Sequence, residues 1–330
     1  MNTTKIKHML ANIDDSQLRQ AERWAASKEP IALTDQHFEK ELKQTPSKSA
    51  QTLDLAIAYN RELARHHKYE ESLLRTRAME LLSWRSQLNT QQVFPDIPAP
   101  LMSDDQGHPS YQWQFSLGQN QTLNQDEQSA FIASDFRFAY HDLMDPAEGY
   151  PLGSSLEMGR FSTIWRPNQG IQIQKASLLN IESFSPRGDL FSPLSWRVQT
   201  GLDRYLDQHS PMFASLNAGV GYSYSLYPNS LAFFLISGDL RASPLYTRGT
   251  IVSAGPEIGF LYRYQQQRYH LRFIQHMGVF QEEARRQAFR FSWTHSITPA
   301  TQFGLHWHYE TSGIYKNANA EGTLGFQWYF

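Results

Sequence analysis

Gly322-Thr-Leu-Gly-Phe-Gln-Trp-Tyr-Phe330 ends the sequence, and the alternation within it decides how the chain folds. Leu324, Phe326, Trp328 and Phe330 share one parity; Thr323, Gly325, Gln327 and Tyr329 share the other. Successive side chains of a strand point to opposite faces, so this is a strand with a greasy aromatic face backed by a small or polar one. On the exposed edge of a soluble sheet it would template aggregation. A transmembrane β-barrel needs that arrangement, because its outer face meets lipid and its last strand closes onto its first.

Working back from this strand, the same period of two persists to about residue 110. Tyr111, Trp113, Phe115 and Leu117 alternate with Gln112, Gln114 and Ser116. Leu216, Val220, Tyr222 and Tyr224 alternate with Asn217, Gly219, Gly221 and Ser223. Phe303, Leu305, Trp307 and Tyr309 alternate with Gln302, Gly304, His306, His308 and Glu310. Turn signals cut the region into about twelve segments: 110–120, 128–143, 154–166, 170–184, 193–205, 212–227, 230–242, 249–265, 267–281, 285–298, 301–312 and 321–330. Their length suits tilted membrane strands better than the short strands of a sandwich. In 154–166 Arg160 falls on the apolar parity. In 170–184 the phase breaks around Lys175 and Ala176, where a β-bulge is expected. A soluble sandwich would put branched aliphatics on the apolar face and Lys and Glu outside. Here the apolar face is rich in Tyr, Trp and Phe, and Lys is scarce. The fold class expected is therefore a mainly β, antiparallel transmembrane barrel of about twelve strands.

Before residue 90 the period is helical. Asp14, Asp15 and Ser16 offer N-caps, and Leu53, Ala56, Ile57 and Leu63 form one stripe. Leu73, Leu74, Ala78, Leu81 and Leu82 form another. A further short helix is expected from Asp35 to Leu42, ended by Thr45-Pro46. Pro95, Pro98 and Pro100 forbid a helix and stiffen the chain. The division expected is a helical periplasmic segment at 1–90, a Pro-rich linker at 91–109 and an outer-membrane barrel at 110–330. With 330 residues, no cysteine and a formal net charge of -2, the chain has no thiol chemistry and no basic footprint for nucleic acid. The first fifteen residues lack the apolar core of an export signal, so the chain is expected to be the downstream part of a longer precursor.

Parity sends charges of both signs into the lumen, among them Glu257, Arg263, His270, Arg272, Arg290, His306, His308 and Glu310. A salt-bridged plug accounts for such a balance better than a selective pore, which would favour one sign. His306-x-His308 with Glu310 could converge on a metal, but histidines among so many arginines need none. His66-His67 reads as a solvated turn, and no metal, cofactor or catalytic residue is expected. His295 lacks a neighbouring nucleophile for a lipid-cleaving site. With an even strand count, the turns at 144–154 and 185–193 fall on the periplasmic side and are longer than chain reversal needs. They carry Asp145, Gly149, Tyr150 and Pro151, and Pro186, Arg187, Asp189 and Phe191, a mixture suited to docking a partner.

Five stretches carry a family resemblance. They are Leu53-Asp-Leu-Ala-Ile-Ala-Tyr59, Arg77-Ala-Met-Glu-Leu-Leu-Ser-Trp-Arg-Ser86, Phe136-Arg-Phe-Ala-Tyr-His-Asp-Leu-Met-Asp-Pro-Ala-Glu-Gly-Tyr-Pro151, Ile181-Glu-Ser-Phe-Ser-Pro186 and Ser195-Trp-Arg197. They resemble the C-terminal region of the Lnb-like periplasmic-domain proteins of Gram-negative bacteria. Members of that family look like a periplasmic Cys/His domain related to lipoprotein N-acyl transfer, followed by helices and a barrel. This chain has no Cys, so no transferase residue carries over, and the resemblance implies a non-catalytic anchor for such a module. A small-solute channel is the alternative, and a lipid-modifying barrel enzyme a more remote one. Phe326, Trp328 and Phe330 also resemble the terminal signature read by the barrel-assembly machinery. Outer-membrane lipid, that machinery and a periplasmic catalytic domain are thus the partners expected. Deleting Phe330 should lower the fraction of chain that inserts as a heat-modifiable barrel while synthesis is unchanged. Equal insertion in an unheated-gel assay would count against the signature.

Overall fold

The computed structural model describes every residue except 1–2, 32–44, 66–68, 89, 91–93, 97–106, 123–126, 147–148, 168, 189–191, 205–211, 245, 247, 281–284 and 314–317. The chain forms two compact units, Met1–Ala99 and Pro100–Phe330.

The first unit contains α1 (Thr3–Ala11), α2 (Asp15–Ala26), α3 (Pro46–Arg65) and α4 (Glu71–Ser86). Asp14 caps α2: its carboxylate accepts from the Ser16 and Gln17 amides, and the Gln17 side chain answers the Asp14 amide, which completes a capping box. Pro46 stands in the first turn of α3, where its missing N–H costs nothing. Met9, Ala21, Trp24, Ile31, Leu53, Leu55, Ala56 and Leu81 make the core. Leu53, Ala56, Leu74 and Leu81 face inward as their stripes require, but Leu82 is exposed. The buried Arg77 takes the position beside Leu74 and Leu81 on the inner face of α4, where it ion-pairs with Glu80 and donates to the carbonyls of Ser27 and Glu29. The short helix expected at 35–42 and the His66-His67 pair lie outside the described residues.

The second unit is a closed antiparallel barrel. Its strands are β1 (Gln112–Thr122), β2 (Glu127–His141), β3 (Ser154–Arg166), β4 (Gly170–Ser183), β5 (Ser195–Arg204) and β6 (Met212–Tyr224), followed by β7 (Ser230–Ala242), β8 (Thr250–Tyr264), β9 (Gln267–Gly278), β10 (Arg286–Thr298), β11 (Thr301–Ser312) and β12 (Ala318–Tyr329). Each strand pairs with its sequence neighbour, and β12 pairs with β1 to close the circle. The closing register sets Gln112 opposite Tyr329 and Thr122 opposite Asn319. Phe330 extends it by donating its amide to the Tyr111 carbonyl at 3.0 Å, and its ring packs on Tyr111 and Trp328.

The inside-out pattern is explicit. Trp113, Phe115 and Leu117 are exposed, whereas Gln112, Gln114 and Ser116 between them are buried. Leu216, Val220, Phe234, Ile236, Ile258 and Leu305 face outward in the same way. Polar residues inside and a continuous apolar belt outside are the marks of a barrel whose solvent is lipid. The lumen is not wholly polar, however. Phe184, Leu231, Phe233, Leu235 and Leu261 form a buried apolar cluster near the end where the barrel closes on its termini.

Both weakly patterned strands are explained by backbone irregularities. In β3, Gly159 adopts φ 65°, a left-handed conformation that glycine accepts without a Cβ penalty. Met158 and Phe161 therefore both face out, and Glu157 and Arg160 meet inside. In β4 the register shifts twice, between Ser162 and Thr163 against β3 and between Ser177 and Leu179 against β5. These bulges bracket the site expected from the sequence. A charge placed on the outer belt should cost energy according to depth. Val220→Arg, inside the belt, should lower stability by about 2–4 kcal/mol, and Tyr224→Arg, at the strand end, by about 0–1 kcal/mol. Equal losses in denaturant titrations of the refolded barrel would contradict a lipid-facing belt.

Candidate functional site

Charged side chains fill much of the lumen, and most are paired. Arg197 on β5 grips Glu257 on β8 with two nitrogens, Nε to Oε1 at 2.9 Å and Nη2 to Oε2 at 2.6 Å. Arg272 on β9 binds Glu182 at 2.7 Å and reaches Glu257 at 3.6 Å. Arg286 holds Glu310 through two bonds of 2.9 Å, and Arg241 holds Asp239 at 2.7 Å. The β5–β8 and β4–β9 pairs join strands far apart in sequence and cross-brace the lumen, whereas Arg286–Glu310 ties neighbouring strands and Arg241–Asp239 lies within β7. Buried carboxylates and guanidinium groups tolerate dehydration when geometry is good and both partners are present.

Two cavities of about 340 and 270 Å³ remain among them. Gln174, Lys175, Gln199, Arg290 and Glu321 border both. Among the described residues neither Lys175 nor Arg290 makes an ion pair within 4.0 Å, so two cations stand where the cavities meet.

The end where the chain enters and leaves the barrel is occupied by the β2–β3 turn. Asp142 and Asp145 shape it: the Met144 amide donates to Asp142 at 2.9 Å and the Asp142 amide to Asp145 at 2.7 Å. Leu143 packs into the apolar cluster with Phe184 and Phe233, and Leu152 lies against it. The Met144 carbonyl accepts from Thr294 on β10 at 2.9 Å and Gln302 on β11 at 3.1 Å, strands separated from β2 by β1 and β12. Gly153, at φ 86°, lets the turn press on β4, since a Cβ there would lie 2.5 Å from the Phe184 carbonyl oxygen. The turn thus crosses the mouth and is fastened to strands other than its own.

Asp145 sits at the centre of this mouth. Arg137 donates to its Oδ2 at 2.6 Å and Tyr329 to its Oδ1 at 2.7 Å. Burial would raise its pKa, but Arg137, His108 and His141 outweigh that and hold it well below the usual carboxylate range. Burial, with Glu157 and Asp145 nearby, pushes Asp142 the other way, up to about 7. His108 lies 3.1 Å from His141, whose ring stacks on Tyr150 at 3.9 Å.

The residues singled out in the sequence fall into several places. Glu257 and Arg272 share one ion network, and Glu310 and His308 approach to 3.4 Å within a neighbouring one. His306 contacts Ser292 at 3.0 Å, and His270 and Arg290 line the larger cavity. His306 and His308 thus have separate contacts. Arg263 stands at the mouth instead, donating to the Tyr150 carbonyl at 3.0 Å, with Pro151 beside it. Gly149 turns the chain there at φ 84°. Pro186 bridges to Ser223, and Arg187 lies over the Tyr222 ring at 4.2 Å, both against the barrel rim. Asp189 and Phe191 lie outside the described residues. His108 is the residue that sequence reading passed over. It sits in a stretch read as linker, and nothing local marks it as buried.

Residues 101–329 match the family described as Domain of unknown function (DUF7840), and residues 2–97 match Domain of unknown function (DUF7842). No curated protein matches the chain. Among solved structures, the NanC porin is similar at 6% identity, covering 66% of this chain and 98% of its own, with a TM-score of 0.41. An outer membrane channel from Pseudomonas putida F1 is similar at 10% identity, covering 72% and 100%, with a TM-score of 0.40. The DcaP channel of Acinetobacter baumannii is similar at 9% identity, covering 71% and 100%, with a TM-score of 0.33.

The lumen network sets a testable stability effect. Glu257 is fully buried, and Glu257→Ala would strand Arg197, at a cost of about 3–5 kcal/mol. The double change Arg197→Met with Glu257→Leu should recover most of that loss. Chemical denaturation in detergent micelles measures both, and a double variant as weak as the single one would show that the pair is not the cause.

Proposed function

This chain belongs to the family of Domain of unknown function DUF7840, whose match spans the whole barrel, and we propose that it is a closed outer-membrane anchor that tethers periplasmic machinery rather than a conduit. The observation that carries this reading is the β2–β3 turn, seated across the mouth by Leu143 and by the two bonds to the Met144 carbonyl. In this reading the end bearing the termini faces the periplasm, and the helical unit continues the tether there. The barrel engages outer-membrane lipid through its apolar belt and the assembly machinery through its last strand. It performs no chemistry of its own. Its resemblance to the Lnb-like proteins makes an acyltransferase-like periplasmic domain the module to be held.

A second reading, a small-solute channel, draws on the cavities that meet at Lys175 and Arg290, cations placed to pass anions. Single-channel recording separates the two. The wild-type barrel in a planar bilayer should show no steady conductance steps, and replacing residues 143–152 with a short Gly-Ser link should produce them. Steady ohmic steps from the wild type, with anion preference lost in Arg290→Gln, would overturn the anchor in favour of the channel.

A further inference from the structure

We infer that His108, His141 and Asp145 form a binding site for one divalent ion of the zinc type at the mouth of the barrel. Three potential ligand atoms converge there. His108 Nε2 lies 3.1 Å from His141 Nδ1 and 3.5 Å from Asp145 Oδ2, and the last two are 3.9 Å apart. Zinc bonds of about 2.0–2.2 Å in a tetrahedron place neighbouring ligand atoms about 3.3–3.6 Å apart. The triangle already has that scale, and water would supply the fourth ligand. Two imidazoles and one carboxylate are a donor set that zinc accepts.

The surroundings hold each ligand in place. His108 Nδ1 donates to the Pro109 carbonyl at 2.7 Å, which leaves Nε2 as the lone pair aimed at the centre. Tyr329 holds Asp145 Oδ1, and Arg137 and the Asp142 amide hold Oδ2, the oxygen that would share its remaining lone pair with the ion. Ligands in metal sites are oriented by such partners. All three side chains are buried, and His141 is stacked under Tyr150.

Charge argues the same way. Ion contacts within 4.0 Å join Arg137 and Arg160 to Asp135, Asp145 and Glu157, so carboxylates outnumber guanidinium groups even without Asp142, which is pushed up to about 7. A cation is drawn to that excess. Arg263 and Arg268 face the histidines from further away and oppose this, with Arg263 turned to backbone carbonyls and Arg268 to Ser296. The ion would stitch the segment entering β1, which carries His108, to the end of β2 and its turn. It acts as a clip, with all three ligand side chains buried.

The full chain, stripped with chelator and refolded in detergent, provides the test. Zinc content by mass spectrometry should return to one ion per chain, and Co²⁺ should give the intense visible bands of four-coordination. His108→Gln and Asp145→Asn should weaken zinc binding by more than about 10-fold while the barrel stays heat-modifiable. His306→Gln should bind as the wild type does. X-ray absorption of the zinc-loaded wild type needs no variant and should count two imidazoles. A wild type that takes up no zinc, a shell without imidazole, or binding unchanged in His108→Gln would each overturn the site and leave a metal-free hydrogen-bonded cluster.

Discussion

Everything in the barrel depends on the pairing of β12 with β1. A strand edge in the bilayer core has no water to satisfy its N–H and C=O groups, and each unmet group costs several kcal/mol. The only β solution is a closed circle, and the closing register runs unbroken along both strands from Gln112–Tyr329 to Thr122–Asn319. The last strand therefore serves three needs at once. Its backbone removes two edges, Phe326 and Trp328 face lipid, and Tyr329 turns inward to Asp145.

Closure at twelve strands leaves a lumen lined with ionisable groups. The lumen resolves this by pairing across strands: β5 with β8, β4 with β9, and β10 with β11. Replacing such pairs with apolar side chains is often neutral in stability, so their value lies as much in fixing one arrangement as in net energy. The Phe184–Phe233 stack adds an apolar floor beneath the charges, and Arg272 lies over the Phe233 ring at 5.4 Å.

That floor seats the β2–β3 turn. The turn brings Leu143 to an apolar surface already waiting in the lumen and satisfies the Met144 carbonyl on β10 and β11. The backbone bends sharply to do so, with Tyr140 at φ 71° and Gly149 and Gly153 also left-handed. A left-handed tyrosine at a strand end is costly and persists only where its surroundings enforce it. Here the stacked Tyr150 and His141 and the ion-paired Asp145 do so.

The sequence by itself determined the number of strands, nearly all of their boundaries and the face each presents to lipid, because alternation with a period of two is a local property. It also exposed the helical unit, whose stripes and cap at Asp14 are local as well. It misplaced Leu82 because a stripe does not say which flank finds a partner. Only the tertiary structure decided which lumen charges pair, since Arg197 and Glu257 meet through barrel curvature and register. The inward turn of Arg160 depended on a left-handed Gly159, which composition does not reveal. The union of His108 with His141, Asp145 and Tyr329 joins the first and last residues of the barrel. Closure alone makes such neighbours, because it brings together the two chain ends that the sequence holds furthest apart.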